Sequence, residues 1–273
     1  MKNYSASPLE MINSFWCNKR LIMQLSKREV LGRYRGSTLG LSWSFFNPIL
    51  MLVIYTFVFS VVFKARWGVS ADESKTDFAI ILFVGLLIHG LFAECINKAP
   101  GLITSNVSYV KKVVFPVEVL AWVAFMSALF HAAISLVVLL LAQLVFKHSI
   151  PWTAILLPFV LLPLFLSIMG LSWLFASLGV YLRDITQITV MFTTVMLFMS
   201  AVFFPITALP EKYQVWIRIN PLAYIIEQSR NVLIFGQVPD LLTWSIMLVI
   251  GGVVAWCGFA WFQKTRKGFA DVL

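Results

Sequence analysis

Six stretches free of Asp, Glu, Lys and Arg run through the sequence: Gly36 to Phe63, Phe78 to Ala93, Val119 to Phe146, His148 to Leu182, Ile185 to Pro210 and Leu241 to Gln263. A helix needs about 20 apolar residues to cross a ~30 Å hydrocarbon core, and five of these stretches reach that length unaided. The sixth, Phe78 to Ala93, reaches it by taking in Cys95 and Ile96, which leaves Glu94 near a headgroup. The pattern predicts an all-α integral membrane protein with six transmembrane helices. They cover about residues 41–63, 78–97, 119–146, 152–180, 186–204 and 241–262. No internal repeat stands out, so residues 1–273 are read as one domain. An even number of crossings puts both termini on one side.

The polar segments between the spans have patterns of their own. Over residues 5–32, Ile12, Phe15, Trp16, Ile22 and Met23 fall roughly on one helical face, with Lys19, Arg20, Lys27 and Arg28 on others. Ser7-Pro8 and Gly32 punctuate this segment as an amphipathic helix lying along the membrane interface. Between the second and third spans, Pro100, Gly101 and Pro116 bracket a basic segment in which Ser105 to Phe115 is read as a brief helix. Residues 205–240 are expected to form a hairpin of two short helices on the outer side. Pro205 ends the fifth span, Pro210 opens the first helix, and Asn220-Pro221 is a cap followed by proline at the first helical position. Gly236 is the expected stop. The second helix carries Glu227 and Arg230 and is too short to cross, so the hairpin is read as dipping into the leaflet and lining or lidding a wet space.

Charge sets the orientation. Only 12% of residues are charged and 60% are hydrophobic, far from the roughly 25% charged of a soluble domain. The segments assigned inside hold fourteen Lys and Arg against seven outside, an excess that places both termini in the cytoplasm. The net charge of +9 then reads as topology and attraction to anionic lipid, not nucleic-acid binding. The first eleven residues lack the apolar run of a signal peptide. Cys17, Cys95 and Cys257 are scattered, as are His89, His131 and His148, so neither a disulfide framework nor a metal site is expected. The sequence contains no G-x-x-x-x-G-K-[ST], H-E-x-x-H or G-x-S-x-G motif. Few ionisable residues fall within the spans, which argues against ion-coupled transport. A transporter of this composition is not an enzyme by itself and needs an energised partner.

Four stretches carry a resemblance: "LGRYRGSTLGLSWSFFNPIL", "YLRDI", "FFPITALPEKYQ" and "INPLAYIIEQSRNVLI". Together, and in this order, they resemble the membrane subunit of the type 2 polysaccharide exporters of the ABC transporter class, which move lipid-linked O-antigen, capsule or teichoic acid. The resemblance implies a homodimer of six-span subunits above two copies of a separate ATPase, which binds the ATP and Mg; this chain holds no cofactor. It makes residues 5–32 an interface helix and Leu39-Gly40 the loop into the first span. Tyr109, Lys111 and Lys112 fall on the coupling helix, Arg183-Asp184 in the turn between the fourth and fifth spans, and Pro205, Asn220, Pro221, Glu227 and Arg230 on the gate helices.

A polyprenyl-pyrophosphate cargo gives Arg33 and Arg35 a purpose. With Leu39 and Gly40 they form the expected headgroup-binding loop, since the guanidinium fork matches phosphate oxygens. Plain topology signalling is the other reading of both arginines. Aromatic residues make up 15% of the chain, and Trp43, Phe46 and Tyr55 of the first span are the expected channel-lining rings, against a role in core packing or interfacial belts. Export of drugs or small lipids stays open. So do a membrane glycosyltransferase using Asp72, Glu73 or Asp77, and a scaffold that transports nothing.

Overall fold

The structure, a computed structural model, describes residues 6–62, 67, 75–111 and 115–273. Of the residues singled out above, Ser5, Phe63, Asp72, Glu73 and Lys112 lie outside the described set. Among the described residues all regular structure is helical: α1 (Pro8–Arg33), α2 (Trp43–Tyr55), α3 (Lys75–Lys98), α4 (Gly101–Thr104), α5 (Val107–Val110), α6 (Val119–Lys147), α7 (Leu157–Tyr181), α8 (Ile185–Met199), α9 (Glu211–Ile219), α10 (Pro221–Arg230), α11 (Leu241–Thr265) and α12 (Phe269–Val272). Wider π-type turns continue α2 over Thr56–Val62 and α10 over Asn231–Phe235.

Local chemistry sets the helix ends. Ser7 Oγ accepts from Glu10 N at 3.2 Å ahead of Pro8, and α1 closes before Gly36 turns left-handed at φ 88°. Asp240 caps α11 through Leu242 N and Thr243 N, and with the Thr243 hydroxyl these bonds hold its carboxyl below the ordinary carboxylate range.

Among the described residues five helical stretches are long and apolar enough to cross a membrane: Gly40–Phe59, Thr76–Lys98, Val119–Lys147, Trp152–Tyr181 and Leu241–Gly268. The fifth expected span, 186–204, is shorter than predicted, because α8 ends at Met199. Its 15 residues rise only about 22 Å. The chain leaves the helix at Ser200 and Ala201, the latter at φ 52°, and residues 201–202 turn their carbonyls toward another element. Likewise Ser105 to Phe115 is not one brief helix. Its described part holds a single turn, α5, separated from the single turn α4 at Ser105 and Asn106.

Two ends of the bundle are each laced by ion pairs and hydrogen bonds. At one, Glu29 of α1 pairs with Lys98 of α3, Glu118 meets Arg266 at 2.6 Å, and Tyr181 donates to Thr265 O at 3.1 Å. At the other, Lys147 meets Asp77 at 3.1 Å and Tyr224 donates to Asp240 O at 3.2 Å. α7 and α11 run parallel between these ends, with the Phe159 and Trp244 rings stacked at 3.9 Å near their starts. Glycine brings their backbones together: a Cβ on Gly258 would lie 2.0 Å from Gly170 O, and one on Gly251 2.5 Å from Pro163 O.

α3 is the centre. Of its apolar window 78% is buried within the protein, against 11% for residues 40–59, whose apolar surface is left for lipid or another chain. α1 packs across the start of α6. The single apolar stripe expected on it splits in two: Ile22 is buried with Val119 and Val123, and Phe15 meets the Trp122 ring at 4.9 Å. Leu9, Ile12, Trp16 and Met23 stay exposed on a second face, beside Lys19, whose ammonium sits over the Trp16 ring.

Candidate functional site

Between the end of α1 and helices α2, α3 and α6 lies a cavity of about 460 Å³. Most of its wall is apolar, as burial in a bundle requires. Its polar groups come from elements far apart in sequence: Arg33 and Tyr34 at the end of α1, Asn47 and Tyr55 on α2, His89 and Glu94 on α3, His131 and Ser135 on α6. Arg33 Nη2 donates to Glu94 Oε1, and the side chains are 42% and 21% exposed, so this pair meets solvent through the cavity. His131 Nδ1 stands 3.0 Å from Arg33 Nη1 and 3.1 Å from Glu94 Oε1. One nitrogen cannot accept from the guanidinium and donate to the carboxylate at once, so a single proton decides which neighbour His131 serves. Its Nε2 is buried without a hydrogen-bond partner among the described residues.

The expected headgroup loop therefore does not act as one surface. Arg33 is the last residue of α1, whereas Arg35 lies beyond its non-helical cap Tyr34. Arg33 enters this cavity, while Arg35 lines a separate pocket with Gln24, Lys27 and Arg28. Leu39 is exposed, and Gly40 takes a left-handed φ of 50° in the turn that redirects the chain into α2. The expected channel rings separate in the same way. Trp43 donates to Ser37 Oγ at 2.9 Å and sits 6.3 Å from Phe46, both rings on the exposed face of α2. Tyr55, nine residues past Phe46 and so on the opposite face, lines the cavity.

Near the expected coupling residues, Arg28 Nη2 donates to Tyr109 Oη at 2.9 Å, and the Tyr109 ring stacks on Phe115 at 4.5 Å. With the Glu29 to Lys98 pair, α1 is thus tied to both the end of α3 and α5. Lys111 is exposed and Lys112 lies outside the described residues. Periodicity gives no sign of these ties, because each joins residues 69 or 81 positions apart.

The hairpin region centres on a residue the sequence placed against water. Arg230 is 0% exposed. Its Nη1 donates to Ala201 O at 2.9 Å, Nη2 to Val202 O at 2.9 Å and Nε to Ile81 O at 3.2 Å; Glu227 Oε2 is 3.4 Å from Nη1, and the Trp67 ring lies 4.3 Å away. A buried charge is tolerated when paired and fully hydrogen-bonded, and here backbone does most of that work. Gly85 makes the room, since a Cβ there would lie 2.7 Å from Nη2. Asn220 joins the same region: its Oδ1 caps α10 at Leu222 N, 3.0 Å, and its Nδ2 reaches Met199 O at 3.0 Å and Ser200 Oγ at 3.1 Å. Pro221 follows as the first residue of α10, and Pro205 stands in the connection before α9. Gln143 and Thr153 donate to Leu233 O and Val232 O in the π-type extension of α10. Glu227, by contrast, is partly exposed beside Arg230.

The bundle thus holds a polar cavity at the foot of α1 and a tied-down helical pair at the other end. The sequence profile of the ABC-2 type transporter matches residues 20–234, most of the chain. The chain belongs to that family. Among its relatives is the O-antigen export system permease protein RfbA of Myxococcus xanthus, 24% identical over 265 residues that cover 96% of this chain and 99% of the relative. An O-antigen export system permease protein RfbA of Klebsiella pneumoniae is 25% identical, with 93% and 95% covered. The polysialic acid transport protein KpsM of Escherichia coli is 20% identical, with 93% and 96% covered. As a family member the chain is the membrane component of a transporter.

Proposed function

We propose that this chain is the permease of a polysaccharide exporter, in which two copies and two copies of a separate ABC ATPase move a polyprenyl-pyrophosphate-linked polymer outward across the bacterial inner membrane. The observation that carries this reading is end-to-end similarity to O-antigen export permeases, at 24–25% identity against 20% for the polysialic acid protein. O-antigen is accordingly the favoured cargo. The direction of the chain supports six crossings with both termini inside. α8 starts beside the Tyr181 end and finishes at Asn220 at the other, so its 15 helical residues and the turn after them traverse the bundle. α9 and α10 then dip into the outer leaflet as the gate pair, and α1 lies in the inner interface with Leu9, Ile12, Trp16 and Met23 toward lipid.

In this scheme the ATPase pushes on α4 and α5. The Arg28 to Tyr109 bond and the Glu29 to Lys98 pair pass that movement to α1, whose last turn carries Arg33 into the cavity. The cargo pyrophosphate meets Arg33 there. Exposed Trp43 and Phe46 offer the polymer sliding contacts on the face of α2 shared with the second copy. Depletion of the protein in its host tests the reading. Surface polymer is expected to disappear while its lipid-linked form accumulates on the inner side. Loss of polymer synthesis itself would make the chain an enzyme and overturn the proposal.

A further inference from the structure

α1 has two flanks, and the conduit uses one of them. On the other, an apolar groove of about 460 Å³ runs between the second half of α1, Leu41 and α6, walled by Val30, Met126, Leu129, Phe130 and Ala133. A second pocket, about 450 Å³, opens beside it and is lined by Gln24, Arg28 and Arg35. Lys27 and Leu31 belong to both, so the basic pocket and the apolar groove adjoin. Neither shares a lining residue with the cavity that holds Arg33.

The charges of the basic pocket are not spent inside the protein. Arg33, Lys98, Lys147 and Arg266 each meet a carboxylate. Among the described residues Lys27 and Arg35 meet none, and Arg28 donates to the neutral hydroxyl of Tyr109. Three cations thus gather at the end of an interface helix, above an apolar slot. The slot reaches Leu129 and Ala133, ten to fourteen residues into α6, which is about 15–21 Å of rise from Val119. Arg33 reaches His131 at 3.0 Å, so the end of α1, with Arg35 just past it, lies alongside this part of α6 and the cations adjoin the slot.

We infer that this flank is a binding site for one anionic phospholipid, its phosphate held by Lys27 and Arg35 with Arg28 behind them, and one acyl chain laid in the groove along α6. A phospholipid fits better than the transported lipid because the site is walled off from the conduit: its occupant braces α1 against α6 from outside and stays while cargo passes. Occupancy does not depend on the export reading, since the same lipid would bind a chain that transports something else.

Native mass spectrometry of the delipidated protein titrated with dioleoyl phosphatidylglycerol or dioleoyl phosphatidylcholine tests this. The acyl chains are the same, so only the head differs. With two juxtamembrane cations holding its head, phosphatidylglycerol is expected to bind about thirty times more tightly, about 2 kcal/mol. The double variant Lys27→Gln/Arg35→Gln should erase that preference, and Lys27→Arg/Arg35→Lys should keep it. Ala133→Phe fills the groove from an exposed position and should weaken both lipids by threefold or more, about 0.7 kcal/mol, with the melting temperature unchanged. Equal binding of the two lipids, or a preference that survives Lys27→Gln/Arg35→Gln, would overturn the inference. So would displacement of phosphatidylglycerol by a polyprenyl phosphate binding more tightly, which would make this a cargo site.

Discussion

Arg230→Leu is expected to destabilise the protein by about 3–5 kcal/mol and to abolish transport. The variant fills a similar volume but leaves Ile81 O, Ala201 O and Val202 O in a dry interior without donors, and leaves Glu227 without its partner. Those carbonyls belong to α3 and to the turn after α8, so one side chain fastens α10 to both. It also holds Ala201 at φ 52°, a conformation that costs a non-glycine residue of order 1 kcal/mol. At 2–4 °C per kcal/mol for a chain of this size, the melting temperature of the purified protein should fall by roughly 10 °C. Arg230→Lys keeps the charge but cannot reach three carbonyls with one ammonium, and should fall between the variant and the native protein. A melting temperature for Arg230→Leu within about 2 °C of the native one would show that the arginine fastens nothing.

The second large effect lies in the Arg33 cavity, where two single changes should act in opposite directions. Glu94 pairs with Arg33 in the cavity and competes with any incoming anion for the guanidinium. Removing the carboxylate charge with Glu94→Gln should tighten binding of a polyprenyl pyrophosphate by about tenfold, which takes only ~1.4 kcal/mol, well within the Coulomb energy of two charges at this range in a partly wet site. Arg33→Gln should weaken it by at least as much and lower export. The pair is partly exposed and contributes at most about 1 kcal/mol to folding, so both variants should fold normally. Affinities that move in the same direction would mean that Glu94 and Arg33 do not compete with the anion.

Much of the helical plan is legible in the sequence because each long apolar run is fenced by charge or proline. α6 fills the interval between Glu118 and His148, and α11 starts at Asp240, the residue that caps it. Asn220-Pro221 announces α10 because its cap needs only neighbouring atoms. Sequence patterns fail where the decisive partner is remote. Nothing near Arg230 in the chain says that its guanidinium will meet carbonyls 28, 29 and 149 positions away, so an interior arginine reads as a solvent-facing one. The early end of α8 follows from the same contacts, since residues 201–202 leave the helix to supply two of them. Arg33 and Arg35 looked like a pair because they are two residues apart. The helix end that separates them and the Glu94 that captures one of them are three-dimensional facts. The split of the apolar face of α1 has the same origin: Ile22 finds Val119 and Val123, a contact no periodicity specifies.

As the membrane component of an ABC-2 type transporter, the chain is expected to act as a conduit whose power stroke is made by another protein. Vesicles holding the purified permease with its ABC ATPase partner, loaded on one face with lipid-linked polysaccharide, test it most directly. Polymer is expected to reach the opposite face only when both proteins and ATP are present, and Arg33→Gln is expected to slow its arrival without lowering the ATPase content of the complex. Polymer crossing in vesicles that contain the permease alone would contradict it.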